Sequence, residues 1–301
     1  GSLTFGIGAY SHLGLSFDSG NDWGGLRAVE QAGVATFNLA PAVAWVMNEH
    51  VTVGASLAAQ YAEPEIRVAV ANDALFYGPP AGLPDGTLRA SGDSWALGGQ
   101  LGILYVPRSD TRLGLAWTAS VEHSVPLELE ARNLHPVLAA LVPSDDTARL
   151  ELALPQQLLF GLAYEPRGGT LVSFGLTWQD WSRTGDTHLK LQGSSAPVFP
   201  GGLRDTWGAA AGMRRSLDED WSVSAGVSYE SSPAPEAGVP AYFPAAEQWK
   251  FAAGVERDFG KALRLRGSLS VIQQGDAQVV QTAHPLPLPF PAAILAGRWR
   301  P

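Results

Sequence analysis

The residue types that could support catalysis lie together once, between positions 120 and 124. Ser120, Glu122, His123 and Ser124 supply nucleophiles, a carboxylate and a base, so one interpretation is a hydrolase with His123 as general base. Successive side chains of a strand point to opposite faces, however, which separates sequence neighbours. We therefore favour a polar residue at the rim of a strand for His123, with the hydrolase as an alternative.

Other catalytic and cofactor motifs are missing from the sequence. There is no Gly-x-Ser-x-Gly elbow, no His-Glu-x-x-His, no phosphate-binding loop and no dinucleotide fingerprint. The six histidines are scattered without metal-ligand spacing, and the chain has no cysteine. Thiol catalysis, disulfides and zinc–thiolate sites are thereby excluded. We predict no enzymatic activity, no cofactor and no metal site.

The composition points away from an ordinary soluble surface. Only 16% of the 301 residues are charged, against about 25% in a typical soluble domain. No run of 18 apolar residues exists, so a transmembrane helix is not expected. The net charge of −9, with Arg214-Arg215 as the densest basic pair, argues against nucleic acid as a partner. A densely buried soluble β protein and a membrane β-barrel remain.

Alternation with a period of two dominates the chain. In the stretch 220–230, Trp221, Val223, Val227 and Tyr229 alternate with small or polar residues. Such a strand has one large apolar face and one small polar face, which fits lipid outside and a lumen inside. Twelve segments show this pattern: 3–13, 35–47, 50–66, 94–106, 111–125, 148–165, 169–183, 205–216, 220–231, 247–258, 262–274 and 292–299.

The connections between these segments alternate between short and long. The short turns are 47–50, 107–111, 165–169, 217–220 and 259–262, and the long stretches are 14–34, 67–93, 126–147, 184–204, 232–246 and 275–291. Outer-membrane barrels have short periplasmic turns and long extracellular loops. The sequence therefore predicts an all-β fold: one antiparallel transmembrane β-barrel domain over 1–301, with about 12 visible strands and both termini periplasmic.

Two of the long stretches carry apolar residues that need a reason to be exposed. One contains Leu75-Phe76-Tyr77, and the other, 133–142, could hold a short helix. Binding of an apolar ligand is one explanation for such loop clusters, and packing on the barrel rim is another.

Four motifs, in order and spacing, resemble the long-chain fatty acid transporter (FadL/TodX) family. They are Leu-Pro-Gln-Gln-Leu-Leu-Phe-Gly-Leu-Ala-Tyr at 154–164, Leu-Thr-Trp-Gln-Asp-Trp-Ser at 176–182, Gly-Leu-Arg-Asp-Thr-Trp at 202–207 and Tyr-Glu-Ser-Ser-Pro-Ala-Pro at 229–235. Weaker similarity extends from Phe5-Gly6 to Gly297. The resemblance implies passive uptake of hydrophobic molecules across the bacterial outer membrane, with capture in a groove between loops and lateral exit at a kinked strand.

The resemblance also implies site residues. The loop groove corresponds to Leu75, Phe76, Tyr77, Leu83, Leu134, Val137, Leu138 and Leu141. The lumen positions that meet a ligand head group correspond to Arg67 and Phe199, and the kink corresponds to Gly14. Arg67 matches only after a one-residue shift, which reverses the face in a regular strand. We therefore expect neutral apolar ligands to be tolerated at least as well as ionised fatty acids.

The chain also departs from the family pattern. The family has about fourteen strands and an N-terminal hatch, and this sequence begins within what resembles the third strand, so we expect the hatch and first two strands to be absent from it. Near Pro244, the family's charged residues give way to Ala245, Glu247 and Gln248. We predict a monomeric channel in contact with outer-membrane lipid. A general-diffusion or structural barrel is the alternative, and an outer-membrane hydrolase is a less favoured one. A charged eyelet in the lumen would favour general diffusion, whereas an apolar pocket in the lumen would favour the channel for hydrophobic molecules.

Overall fold

The structure is a computed structural model that describes most of the chain. The described residues are 1–11, 13–18, 20, 29–72, 83–140, 142, 148–166, 168–191, 194–199, 201–235, 238, 243, 245–260 and 263–276. Within these ranges, no helix is both long and apolar enough to cross a membrane.

Strands make up most of the described chain. In order they are β1 Leu3–Tyr10, β2 Gly14–Asp18, β3 Gln31–Val46, β4 Val51–Val70, β5 Gly86–Ser91, β6 Ser94–Arg108, β7 Thr111–Thr118, β8 Val121–Pro126, β9 Glu128–Arg132, β10 Ala148–Leu154, β11 Gln157–Tyr164, β12 Thr170–Gln179, β13 His188–Leu191, β14 Ser194–Pro197, β15 Thr206–Ser216, β16 Trp221–Glu230, β17 Gln248–Phe259 and β18 Leu263–Gln274. Two single-turn helices accompany them, α1 Pro136–Ala139 and α2 Trp181–Thr184.

An antiparallel wall runs through eleven of these strands, in the order β1-β3-β4-β6-β7-β11-β12-β15-β16-β17-β18. Eleven of the twelve predicted segments are thereby confirmed as wall strands, and the twelfth, 292–299, lies outside the described residues. β1 and β18 form the two edges of the wall and do not pair with each other in the part of the chain that is described.

The pairing register confirms the two predicted faces. Trp178 lies opposite Trp207, and Tyr229 lies opposite Trp249, so large apolar residues share the outer face across neighbouring strands. Phe5, on the outer face of β1, is 77% exposed. The inner face carries small residues instead, among them paired glycines at mid-height: Gly54 with Gly102, Gly114 with Gly161, Gly161 with Gly175, and Gly212 with Gly226.

Aromatic pairs mark the loop-side limit of the apolar outer face. The ring centroids of Tyr61 and Trp95 are 5.3 Å apart, and those of Tyr229 and Trp249 are 4.9 Å apart. Beyond Tyr61, the outer face of β4 changes to Glu63, Glu65 and Arg67. Tyr and Trp prefer the membrane–water boundary, so the last part of β4 rises above the expected bilayer surface.

Two predicted strands are wrong in their extent. The segment 111–125 divides into β7 and β8, and the segment 148–165 divides into β10 and β11. β8 and β10 leave the wall and pair with each other in a second, four-stranded sheet of order β14-β13-β10-β8, here called the inner sheet. Alternation continues through both breaks because each sheet buries one of its faces, so the pattern does not show which sheet a strand joins.

The long connections are also more ordered than predicted. β2, β5, β9, β13 and β14 fall in stretches that the sequence assigned to loops. β5 pairs with β4 on one side and with β9 on the other, which extends the wall on its loop side. The short helix expected within 133–142 is present as α1, with Pro136 at its start.

A hydrophobic core lies where the inner sheet packs against this extension. Val68, Leu88, Val125 and Leu138 have no exposed surface. Leu189 and Leu191 of β13 complete the contact from the inner sheet. This core holds the inner sheet against the wall on the loop side.

Candidate ligand-binding cavity

A cavity of about 550 Å³ lies between the wall and the inner sheet. β2, β3 and β4 contribute Leu15, Val34 and Ile66, and the inner sheet contributes Leu152 and Leu189. The loop-side ends of β15, β16, β17 and β18 line another side of the cavity with Thr206, Glu230, Gln248 and Gln274. Because most of these side chains are apolar and converge on one space, the cavity suits an apolar ligand.

Three aromatic rings form one end of the cavity. Trp181 and Phe243 have ring centroids 5.8 Å apart, and Phe199 meets Phe243 edge-on at 5.2 Å. Trp181 belongs to α2, whose N-cap is Asp180. The indole N–H of Trp181 donates to Gln179 Oε1 at 2.7 Å, so its one polar atom is satisfied and its ring is available for apolar contact.

The ionisable residues in the described lining of the cavity are both acidic. Among the described lining residues, the ionisable ones are Glu65 and Glu230, and the side chain of Glu65 lies on the outer face of β4 with that of Arg67. The Glu65 carboxylate accepts two hydrogen bonds from Arg89, both 2.8 Å long, and one of 3.3 Å from Arg67. No lysine or arginine belongs to the described lining, and the two arginines that contact Glu65 are both hydrogen-bonded to its carboxylate.

The two predicted lumen residues separate in the structure. Phe199 is buried and lines the cavity. Arg67 alternates with Ile66 along β4, so it lies on the opposite face, beside Glu65 and 3.9 Å from Glu30. The structure therefore brings Phe199 to the cavity and places Arg67 away from it.

The predicted groove residues fall into three groups. Leu75, Phe76, Tyr77 and Leu141 lie outside the described residues. Leu83 and Val137 are exposed, at 39% and 53% respectively. Leu138 is fully buried in the hydrophobic core, and Leu134 packs against that core. Leu134 and Leu138 thus support the loop rather than offer a free surface, and the groove itself stays a prediction.

One buried side chain joins the bases of the two predicted groove loops. Asn72 Nδ2 donates to the carbonyls of Pro84 and Asn133, each at 2.8 Å. Its Oδ1 accepts from the His135 N–H, also at 2.8 Å. The two loops therefore start from a common point, as a groove between them requires.

The wall is interrupted just before Gly14. Tyr10 pairs with Asn38, whereas Gly14 pairs with Ala35. Three sequence positions separate Tyr10 from Gly14, and two separate Ala35 from Asn38, so the β1–β2 side has one residue more, as in a bulge. Gly14 itself is paired, and a Cβ there would meet nothing within 4 Å. Leu13 packs against the cavity aromatics, so the interruption adjoins the cavity.

The residues of the hydrolase alternative do not assemble as a local group. Ser120 Oγ donates to the carbonyl of Leu154 at 2.9 Å, and Ser124 Oγ accepts from Arg149 at 3.0 Å. Glu122 is exposed and lies 3.6 Å from Arg183. His123 instead contacts Ser94 and Gln60, and burial lowers the pKa of its imidazole.

A charged cluster that the sequence reasoning missed lies at the other end of the inner face, near the short turns. Glu256 of β17 receives Arg214 at 2.6 Å and Arg264 at 3.5 Å, and it also pairs with Arg266. Arg264 further pairs with Asp258. These positions alternate with the outward apolar residues of β15, β17 and β18, so assigning faces along those strands could have identified the cluster.

Known proteins resemble this chain in sequence and in fold. Residues 1–288 match the family model described as outer membrane protein transport protein (OMPP1/FadL/TodX). The chain belongs to this family. The family resemblance stated from the four motifs is thereby confirmed, as are the outer-membrane location and the all-β barrel fold.

Individual FadL/TodX relatives are distant in sequence. A long-chain fatty acid transport protein of Salmonella typhi is 24% identical over 280 residues, which cover 85% of this chain and 64% of that protein. The crystal structure of a Pseudomonas aeruginosa FadL homologue superposes with a TM-score of 0.73 at 19% identity, over 90% of this chain and 66% of that one. The Pseudomonas putida toluene transporter TodX gives 0.57 at 18% identity, over 88% and 71%. The chain thus spans less than two thirds of the Salmonella relative.

Proposed function

We propose that this protein is a passive outer-membrane channel for hydrophobic molecules and that it favours neutral ones. The observation that carries the proposal is the cavity of about 550 Å³, apolar on most sides and without a lining cation among the described residues. Its size is within the range of small-molecule sites, roughly 300–1,000 Å³. Relatives named for fatty acid or toluene transport support the hydrophobic substrate class.

The proposed route has three steps. Ligand is first held by the loops around Leu83 and Val137, whose bases Asn72 joins. It then occupies the cavity beside Phe199. It leaves sideways at the interruption before Gly14, because Leu15 lines the cavity and Leu13 packs on the cavity aromatics. Movement along this route follows the concentration gradient of the ligand.

Electrostatics support the preference for neutral ligands. A carboxylate in the cavity would lose water and would meet Glu230 instead of a basic side chain. Burial of an unpaired charge is strongly unfavourable, so such a ligand would have to bind protonated. A neutral hydrocarbon avoids this cost and gains the full apolar contact.

The test compares toluene, decane and decanoate at pH 8 for binding to the purified protein and for transfer into proteoliposomes. We expect the two hydrocarbons to bind and cross, with decanoate at least tenfold weaker. Leu152→Glu places a charge in the cavity and should abolish hydrocarbon binding, whereas Glu151→Gln, its neighbour on the opposite face of β10, should not. Tighter binding of decanoate than of decane would overturn the preference for neutral ligands, and absence of transfer would overturn the channel.

The charged cluster around Glu256 favours a second candidate function, general diffusion of small polar solutes. Charged residues on a lumen wall are typical of water-filled barrels. Here they lie on β15, β17 and β18, on one side of the inner face. This candidate predicts a steady potassium chloride conductance in planar bilayers. A change in the ion selectivity of that conductance in the Arg266→Ala variant would support general diffusion over the apolar channel.

A further inference from the structure

The geometry points to His123 as a positioning residue for the interrupted part of the wall, which we propose it holds from inside through Gln60 and Asn38. The inference rests on the proposed lateral exit for its functional meaning. Its structural basis is a continuous chain of buried hydrogen bonds that runs from the inner sheet to the last residue of β1.

The chain of hydrogen bonds has four links. Ser94 Oγ lies 2.9 Å from His123 Nδ1, and His123 Nε2 lies 3.0 Å from Gln60 Oε1. Gln60 Nε2 donates to Asn38 Oδ1 at 2.9 Å, and Asn38 Nδ2 donates to the carbonyl of Tyr10 at 3.4 Å. Asn38, Gln60 and His123 are 2%, 2% and 3% exposed, so water does not compete for these groups.

The backbone carbonyl of Tyr10 sets the direction of every link. A carbonyl only accepts, so Asn38 must present its NH₂ group to it and its oxygen to Gln60. Gln60 must then donate to Asn38, which turns its own oxygen to His123. That oxygen also only accepts, so His123 carries its proton on Nε2, and Nδ1 accepts from the Ser94 hydroxyl. One arrangement satisfies all the groups, which makes the network rigid.

Side chains reinforce the backbone pairing at the interruption, where the Thr36 N–H donates to the Leu13 carbonyl at 3.1 Å. The Leu13 N–H donates to Thr36 Oγ1 at 3.0 Å, and the Thr36 hydroxyl donates to the Leu13 carbonyl at 2.6 Å. Tyr10 pairs with Asn38 in the β1–β3 ladder, and its carbonyl also accepts from Asn38 Nδ2 at 3.4 Å. Thr36 and Asn38 thus add side-chain hydrogen bonds at both ends of the segment between β1 and β2, and His123 orients the side-chain amide of Asn38 through Gln60.

This arrangement links the cavity to the proposed exit. His123 lies on β8, which pairs with β10, and Leu152 of β10 lines the cavity. A ligand that displaces the inner sheet would move the imidazole, and the hydrogen-bonded chain would carry that movement to Tyr10 at the edge of the interruption. The coupling has a defined physical path, as such a claim requires.

The experiment measures amide hydrogen exchange of residues 10–14 together with toluene binding and toluene transfer into proteoliposomes. His123→Leu breaks the chain, and His123→Gln preserves it because glutamine can donate to Gln60 and accept from Ser94. We expect His123→Leu to speed exchange at the interruption at least tenfold and to change transfer several-fold while binding stays within twofold. His123→Gln should restore both quantities, and Ser94→Ala should give a smaller shift in the same direction. Glu122→Gln, on the exposed face of β8, is the control and should behave as the parent.

Unchanged exchange at 10–14 in both His123→Leu and Ser94→Ala would overturn the inference. So would equal loss of toluene binding and transfer in all His123 variants, since that pattern would show a general structural role. The exchange measurement does not depend on transport: a parent protein that fails to transfer toluene would refute the channel, while the exchange result would still decide whether His123 positions the wall.

Discussion

The two ends of the barrel interior differ in chemistry although the same alternating strands build both. On the loop side, the inward positions and the inner sheet surround a cavity with Phe199, Leu152 and other apolar side chains. On the turn side, the inward positions of β15, β17 and β18 carry arginines gathered around Glu256. Alternation along a strand thus determines which residues face inward. The chemistry of the interior at each height depends on the types of those inward residues.

The largest expected effect comes from a substitution in the charged cluster on the turn side. Glu256 has a side chain that is 12% exposed and neutralises neighbouring guanidinium groups. Glu256→Leu should lower the free energy of unfolding by about 2 kcal/mol, because Arg214, Arg264 and Arg266 lose the carboxylate to which all three bind. Urea unfolding in phospholipid vesicles measures this. Glu165→Leu, which removes an ion pair whose two side chains are each 48% exposed, is the matched control and should cost less than about 1 kcal/mol. Equal losses would contradict the view that Glu256 organises this end.

The next effect breaks the apolar end. Phe199→Ala removes a ring that lines the cavity and packs against Phe243. We expect toluene binding to weaken about tenfold, which corresponds to about 1.4 kcal/mol. Isothermal titration of the detergent-solubilised protein measures the affinity. Phe5→Ala deletes the same ring from the exposed outer face of β1 and should leave affinity unchanged. A comparable loss in both variants would mean that the cavity is not where toluene binds.

A smaller change sharpens the comparison by altering charge alone. Glu230→Gln takes a carboxylate out of the cavity lining and keeps its shape. Decanoate binding should improve by a few fold because a like charge is removed, whereas toluene binding should stay the same. The affinity ratio of the two ligands at pH 8 is the measurement. Glu219→Gln, in the exposed turn before β16, is the control, and an improvement there too would indicate a general charge effect.

The smallest effect concerns the level between the two ends. A Cβ at Gly161 would meet nothing within 4 Å. Gly161→Ala should therefore leave stability unchanged or raise it by up to about 1 kcal/mol, since alanine loses less backbone entropy on folding. The comparison variant is Gly169→Ala, where φ is +68° and alanine is strained. The unfolding midpoint should fall for Gly169→Ala and should stay the same or rise for Gly161→Ala. A clear destabilisation by Gly161→Ala would mean that side chains fill this level of the lumen.

Sequence reasoning predicted the wall well and the interior less well. The wall follows from period-two alternation, as in β16 and β17, because lipid and lumen demand different residues on the two faces. The departure of β8 and β10 into the inner sheet was missed because they alternate in the same way. Phe199 lines the cavity as predicted, whereas Arg67 does not. The face on which Arg67 lies depends on the register of the strand, and a one-residue shift reverses that face. The His123 network joins β3, β4, β6 and β8, and such long-range contacts leave no local pattern in the chain.

The rise of β4 beyond Tyr61 has a consequence for kinetics. Ile66 and Ala90, which line the cavity, belong to the part of the wall that stands above the Tyr61–Trp95 pair. At about 3.3 Å per residue, the nine residues of β4 beyond Tyr61 extend the wall by up to about 30 Å before tilt. The upper part of the cavity therefore lies above the expected bilayer surface, on the side of the external medium. Uptake should then scale with the dissolved concentration of a hydrocarbon, so that among homologous alkanes the poorly soluble long ones load slowly even where they bind tightly.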